Sequence, residues 1–488
     1  MSSSIPEKVS RRAQREIEFI VRQVIRFANM PFAEHKAYLK KYPMDSFCHV
    51  PHPDGRGHLQ CGRLAWSKFG SITDLVLDLD QSLGRRVSRQ RARDAVIEAF
   101  VKRVLKEDRE IDLKTSELVL DDVLTSLKKS LVVREHYFPC VLFPDGDPDT
   151  FSIGPVAFTR RRIFFKNKKE NFKHSIEANT AAHVEYVNAE IAKGFPRDRA
   201  FTEDGSRKLV RGLQASSIKT FRGYPWVASV KVTDCDSDTS QERATRTVEM
   251  AIHVLRVLLG AFPTEKIRLA WGQSDPLHTA HLYADERGII HPSIGTNASA
   301  PARTKNWHDA LMRGATELDV LGSVLNALAD PVEIRHLHQR LLDAINWFGD
   351  AATDPNISSS LVKYVAAIER LFLGKFEPGQ KNRFARRAQT VLKAFDCDEA
   401  DSAYEKAMAI YHTRSVFVHG ERSLEDESQQ NIQIAEEMSR MCLLCSAQLY
   451  PMILHAFGNP DSAKLEEVMS RIDDEGLNWL IEGAFGQR

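Results

Sequence analysis

The stretch Ser359-Ser-Leu-Val-Lys-Tyr-Val-Ala-Ala-Ile-Glu-Arg-Leu-Phe-Leu-Gly374 decides the reading of this chain. Leu361, Tyr364, Val365, Ile368, Leu371 and Phe372 recur every three or four residues, which predicts a helix with one apolar face. Gly374 is a natural stop, since glycine accepts the left-handed conformation that closes many helices. Glu369 falls close to the apolar face, where a carboxylate needs a partner. Downstream, Lys381-Asn-Arg-Phe-Ala-Arg-Arg387 sets Arg383, Arg386 and Arg387 at i, i+3 and i+4 on one helix side. A third helix ends in Tyr411-His-Thr-Arg-Ser-Val-Phe-Val-His-Gly420. A long one follows with Ile434, Met438, Met441, Leu444 and Leu449 on its apolar side.

This order of helices, with Arg414-Ser-Val-Phe-Val-His419 directly before Gly420 and Tyr364-Val-Ala-Ala-Ile-Glu-Arg-Leu-Phe372 upstream, resembles the HEPN superfamily, in particular its Apea-like branch. The resemblance covers roughly residues 356–460, with Leu337 to Phe348 as a lead-in helix. It implies an all-α bundle that cleaves RNA without a metal or cofactor, in a homodimer that brings two Arg-x4-His motifs together. Arg414 and His419 are then the catalytic residues, and Glu369 and Ser415 support them. The basic cluster of Lys381, Arg383, Arg386 and Arg387, in the same helical region, is expected to bind RNA. The resemblance further implies an endoribonuclease of bacterial anti-phage defence, abortive infection or toxin-like growth arrest, held in check until a trigger such as a phage-derived signal arrives. A cytoplasmic location is the default expectation where neither a signal peptide nor a membrane span is read. Two positions depart from the family pattern. Ser415 stands where many members have Asn, and Glu421 stands where toxins silenced by tyrosine modification carry Tyr.

The residue types suit that chemistry. Attack of a ribose 2′-hydroxyl on the adjacent phosphate needs proton transfer and stabilisation of a more negative phosphorane. Histidine is the side-chain type that exchanges protons near neutrality, so His419 can act as general acid or base. Arg414 offers a planar fork of donors to phosphate oxygens. A second reading stands beside it: Arg414 and His419 are cations near a helix C-terminus, favourable to the helix dipole, in a module that only binds RNA or dimerises. Likewise Glu369 either orients Arg414 or His419, or makes a structural salt bridge.

Outside this region the chain carries no comparable motif. Its 488 residues exceed one ordinary core. We therefore expect an α+β protein in two parts: a mixed α/β region over residues 1–304 and a helical region over 305–488. A hydrophobic content of 43% and a charged content of 27% are those of a globular protein, and a net charge of +1 gives no global pull towards nucleic acid. No run approaches the length of a membrane span, and Ser10 to Arg26 lacks the apolar core of a signal peptide. Ile17, Ile20, Val21 and Val24 predict an amphipathic helix instead, and Ser88 starts another. Strands are expected at Tyr137–Phe143, Val156–Phe158, Trp226–Val232 and Ile267–Trp271, and a long helix over Gln241–Leu259. The Pro-, Ser- and Gly-rich segment Gly288 to Lys305 reads as a linker.

Three further features carry less. The seven cysteines form no disulfide framework, and Cys442 and Cys445 sit in an apolar run that predicts buried thiols. Cys48, His52, His58 and Cys61 are zinc-ligand types at spacings foreign to common fingers, so a loop with incidental histidines is the stronger reading. The basic runs Arg85–Arg93 and Arg160–Lys169 read as solvated faces, and no phosphate-binding glycine loop is present.

Overall fold

The computed structural model describes all residues except 1–4, 56, 144–145, 193–201, 271–277, 297–305, 375–378, 420–424 and 486–488. It is an α+β protein, mostly helical, with an antiparallel sheet in its middle third.

The chain opens with a helical unit that has its own core. Helices α1 (Glu7–Ala28), α2 (Phe32–Lys41), α3 (Gly62–Leu79), α4 (Arg89–Phe100) and α5 (Leu113–Ser130) are accompanied by a hairpin of β1 (His49–Pro51) and β2 (His58–Gln60). Ile17, Ile20 and Val24 on α1 are buried with Phe69, Ile72, Val96, Phe100 and Leu120, as the helical spacing predicts. Ser88 caps α4 by accepting from the Arg91 N–H at 3.1 Å.

The sheet begins directly after α5. Its strands are β3 (Val132–Val141), β4 (Thr150–Ile153), β5 (Val156–Arg160) and β6 (Trp226–Cys235), followed by β7 (Arg268–Leu269), β8 (His278–Ala284) and β9 (Ile290–Thr296). They run in the order β4-β5-β6-β3-β8-β9, with β7 pairing the end of β3, and every pairing is antiparallel. The two-residue alternation of a strand decides what each face meets. Phe138 and Cys140 on β3, with Trp226, Ala228 and Val230 on β6, face the main core. Tyr137 and Val227 face the opposite way, under α6 (Arg161–Asn167), α7 (Lys169–Ala192) and α8 (Glu203–Phe221).

Helix α9 (Ser237–Leu259) lies on the main-core face and is buried along most of its length, from Ala244 to Leu258. A short α10 (Ala261–Thr264) follows it. The helical part then comprises α11 (Trp307–Arg313), α12 (Ala315–Ala329), α13 (His336–Ala351), α14 (Ile357–Phe372), α15 (Gln380–Ala394), α16 (Ala403–Val418), α17 (Glu425–Phe457), α18 (Ser462–Glu475) and α19 (Asn478–Phe485). Each of the five helices expected between Glu333 and Phe457 is present.

Two expectations need correction. The segment from Gly288 to Lys305 is not simply a linker: Ile290–Thr296 forms strand β9, and 297–305 lie outside the described residues. Nor does 304/305 separate two cores. Trp307, Leu311, Leu321 and Leu325 pack with Phe143, Trp226 and Val254 in a single cluster that continues to Leu480. The division of cores falls instead near residue 131, where the N-terminal cluster ends. Across that division the Arg85–Ser88 turn docks on Asp236. Buried Asp236 caps α9 through Oδ1, and its Oδ2 accepts from the Ser88 N–H at 2.9 Å and hydroxyl at 3.0 Å.

Among the described residues, no single helix is long and apolar enough to cross a membrane.

Candidate active site

Helix α14 is capped by Asn356, which accepts from the Ser359 N–H at 2.9 Å, and it buries the whole predicted face from Leu361 to Phe372. Glu369 emerges beside that face with only 17% of its side chain exposed. Burial pushes its carboxyl above the usual range, opposed by the Arg414 charge and a hydrogen bond from Tyr411. Such partners favour the ionised form, but here they offset desolvation only in part.

Helix α16 supplies those partners. Arg414 Nη2 lies 3.4 Å from Glu369 Oε2, and its guanidinium sits over the Tyr411 ring, 5.6 Å from the centroid. Tyr411 in turn packs on Phe384 of α15 at a centroid separation of 5.2 Å. Burial and the Glu369 charge both raise the phenol's pKa, so it serves as a donor and not as a base. Three helices thus fix one guanidinium, whose Nε is buried without a hydrogen-bond partner. Next to it, buried Thr413 accepts from Asn431 Nδ2 at 2.8 Å, which ties α17 to the same turn of α16.

His419 closes α16. Its backbone N–H donates to Ser415 O at 3.0 Å while its side chain is exposed, next to Val418, itself 55% exposed. Ser415 is half-buried on the last turn. His412 is exposed, as expected of a surface position. Gly420 and Glu421 lie outside the described residues. Arg414 and Glu369 are therefore brought together, and His419 stands at the rim of the same helix. Tyr411 and Asn431 were not among the residues expected in the site. Tyr411, three residues before Arg414 on one helix side, was open to discovery by spacing, whereas Asn431 belongs to the next helix.

The basic cluster on α15 is different from what its spacing suggests. Arg387 is 1% exposed and clamps Glu466 of α18 with two bonds of 2.6 and 3.0 Å. Its Nε reaches Asp473 at 3.3 Å and its Nη1 donates to Phe372 O at 2.7 Å. Arg383 also pairs with Glu466 at 3.1 Å. Arg386 is exposed and meets Asp473 at 3.3 Å, and Lys381 is half-buried. The expectation of a solvent-facing RNA surface is corrected for Arg387 and Arg383, because i, i+3, i+4 spacing puts cations on one side without saying that the side faces an acidic helix.

Elsewhere, buried Cys442 and Cys445 behave as predicted, with Cys445 Sγ 3.5 Å from Cys397 Sγ. Cys48 and Cys61 are buried behind the β1–β2 hairpin, where burial lifts the Cys61 thiol to about 12, while His49 and His58 stack edge to face across its strands. Among the described residues no three His, Cys, Asp or Glu side chains form a metal-binding group. Arg162 and Lys168 in the second basic run pair with Asp149 and Glu135, and Arg160 lies over Trp226. Comparison with protein-family models, with curated proteins and with solved structures gave no match to this chain.

Proposed function

We propose that the chain is an endoribonuclease whose site is built from Arg414 and His419 at the end of α16. The observation that carries this reading is the anchoring of Arg414. A cation meant only to cap a helix needs no support, yet Arg414 is held by Glu369 and stacked on Tyr411, with an exposed imidazole five positions further along the same helix. Anchoring of this kind pre-organises a donor fork before a phosphate arrives, so that little reorganisation accompanies the reaction.

The two side chains are five positions apart, which places them about 7.5 Å apart along the axis and roughly 140° apart around it. A single helix end therefore does not wrap a phosphate by itself. Two copies of α16 related by a two-fold axis would surround one phosphate with two guanidiniums and two imidazoles, and closed two-fold dimers are the commonest symmetric assembly. In that arrangement His419 moves the proton of the attacking 2′-hydroxyl and Arg414 takes the charge of the phosphorane. Neither step calls on a metal. The biological role that fits is RNA destruction in anti-phage defence or growth arrest, with the remaining three hundred residues governing when the site is used.

The ion pair favours a second reading as well. Glu369 partly spends the charge of Arg414, which suits a module that binds RNA or dimerises without cutting it. Mutation separates the two. His419→Ala should lower the cleavage rate by roughly 10²- to 10⁴-fold, the usual contribution of a general acid–base group. Its fold should survive, since a charge at a helix end contributes only about 1 kcal/mol or less. Arg414→Ala should be similarly inactive, and EDTA should have no effect. Cleavage by His419→Ala at the parent rate, or inhibition by EDTA, would overturn the mechanism. A protein that sediments as a monomer at every concentration would overturn the shared site.

A further inference from the structure

A cleft runs between α9 and α13, and none of the motif residues lines it. Its outer part is bordered by Asp238, Glu242 and Trp347, and its inner part, a cavity of about 670 Å³, by Glu249, His253, Arg256 and Asp350. The two parts meet at Glu249 and Asn346. This volume lies within the range of small-ligand sites, and its walls come from both the sheet region and the helical bundle.

The inner wall holds buried groups of both signs that feel one another's charge without a direct ion pair. Arg256 is 4% exposed, donates from Nη2 to Ile267 O at 2.6 Å, and keeps a buried Nε without a partner. Among the described residues no carboxylate lies within ion-pair distance of it. His253 is 8% exposed, and a Cβ on Gly349 would fall 1.1 Å from its Nδ1, so that edge of the ring packs on bare backbone. His253 is also among the residues that border the cavity. The Arg256 Nε and the His253 Nδ1 are buried without a hydrogen-bond partner, which is costly and calls for an explanation such as a bound group. Glu249, on the same face of α9, and Asp350, across the cleft on α13, are two carboxyls bordering the cavity, and neither is in a salt bridge with a described residue.

We propose that this cleft binds a small zwitterion of the ω-amino acid class, its carboxylate on Arg256 and His253 and its ammonium on Glu249 and Asp350. A ligand with one sign of charge satisfies half the wall and worsens the other half. Glu249 and Arg256 are seven residues apart on α9, about 10 Å along the axis, which asks for charges separated by a flexible chain and not for adjacent ones.

The protonation states agree. Burial and Asp350 push the Glu249 carboxyl up to about 7, against the pull of Arg246 and Arg256 on its own helix. Burial lowers Arg256 to about 10 and holds His253 well below its ordinary range. From the facing elements, Asp350 comes from α13, Asp354 from the turn after it, Lys363 from α14 and Arg268 from β7. Lys363 is already taken by Asp354 at 2.6 Å. An ammonium group docked at Glu249 drives its ionisation, so binding near pH 7 releases a proton.

Calorimetry on the full chain with 6-aminohexanoate, hexanoate and hexylamine tests this. We expect the zwitterion to bind at least tenfold more tightly than either single-charge analogue, with proton release visible as a difference between buffers of high and low ionisation enthalpy. Glu249→Gln should weaken binding tenfold or more and abolish the proton release. Arg256→Gln should also weaken it, and if that variant does not fold, Glu249→Gln at the cleft wall carries the test. No binding of 6-aminohexanoate, equal binding of hexanoate or hexylamine, or unchanged binding by Glu249→Gln would each overturn the proposal.

Discussion

Arg387 shows what a single residue can hide. Its partners Glu466 and Asp473 lie 79 and 86 positions away, so no local window pairs them. Glu466 is held below the usual carboxylate range, against the effect of its burial, by bonds from Arg387 and the Gly374 N–H, while burial lifts Asp473. Removing one member of such a set leaves the others buried and uncompensated. Arg387→Ala should therefore cost about 3–5 kcal/mol. Arg386→Ala, at an exposed position, should stay within about 0.5 kcal/mol. Urea melts of the two variants measure the contrast, and equal midpoints would return Arg387 to the surface. Glu369 and Arg414 were legible for the opposite reason. An acid near an apolar face and a cation at a helix end are each conspicuous alone, even though their meeting at 3.4 Å is a tertiary fact.

At the scale of elements, helices α13 to α17 were legible because each has a long apolar face at a regular period, and the end of one is marked by a glycine or polar break. Strands β8 and β9 were not. Pro292 and Gly295 in β9 imitate a loop, yet β9 is an edge strand, where proline costs no ladder bond on its outer side. The packing of sheet against helix turns on another pair that pattern cannot show. A Cβ on Gly154, in the β4–β5 turn at φ +53°, would sit 2.0 Å from Gly322 O, and one on Gly322 would sit 2.7 Å from Gly154 N. Both are backbone atoms, which do not step aside. Gly322→Ala should raise helix propensity in α12 and still destabilise the protein by roughly 1–3 kcal/mol through overpacking. Gly84→Ala, which meets open space, is the control. A Gly322→Ala variant as stable as its parent would show that α12 can lift from the sheet at no cost.

For the whole molecule, the division of cores decides which fragments can live alone. Residues 305–488 carry the proposed site, but Trp307, Leu311, Leu321 and Leu325 find their partners on α9 and the sheet. A fragment starting at 305 should expose that face and aggregate. One starting at 132 keeps the shared core and loses mainly the polar docking of the Arg85–Ser88 turn, so it should remain folded and soluble. Size-exclusion chromatography of the two fragments distinguishes them, and a monodisperse 305–488 fragment would contradict the shared core. Composition and period placed the helical part correctly. They could not place its boundary, because apolar residues at helical spacing announce a buried face without naming what buries it.

The last turn of α9 ends on another helix. Arg440 of α17 donates to Val257 O at 2.9 Å and Leu258 O at 3.1 Å, and Glu436 accepts the Ala261 N–H at 3.0 Å. These are terminal groups that a helix ordinarily leaves to water, and fraying normally starts from them. Here α9 cannot fray at that end unless α17, the helix after the motif, lets go. Amide hydrogens in the final turn of α9 and around Arg440 should therefore exchange with solvent deuterium at matching rates, as one cooperative unit. Arg440→Ala should release the α9 end first, speeding exchange there before any change in the sheet beneath it.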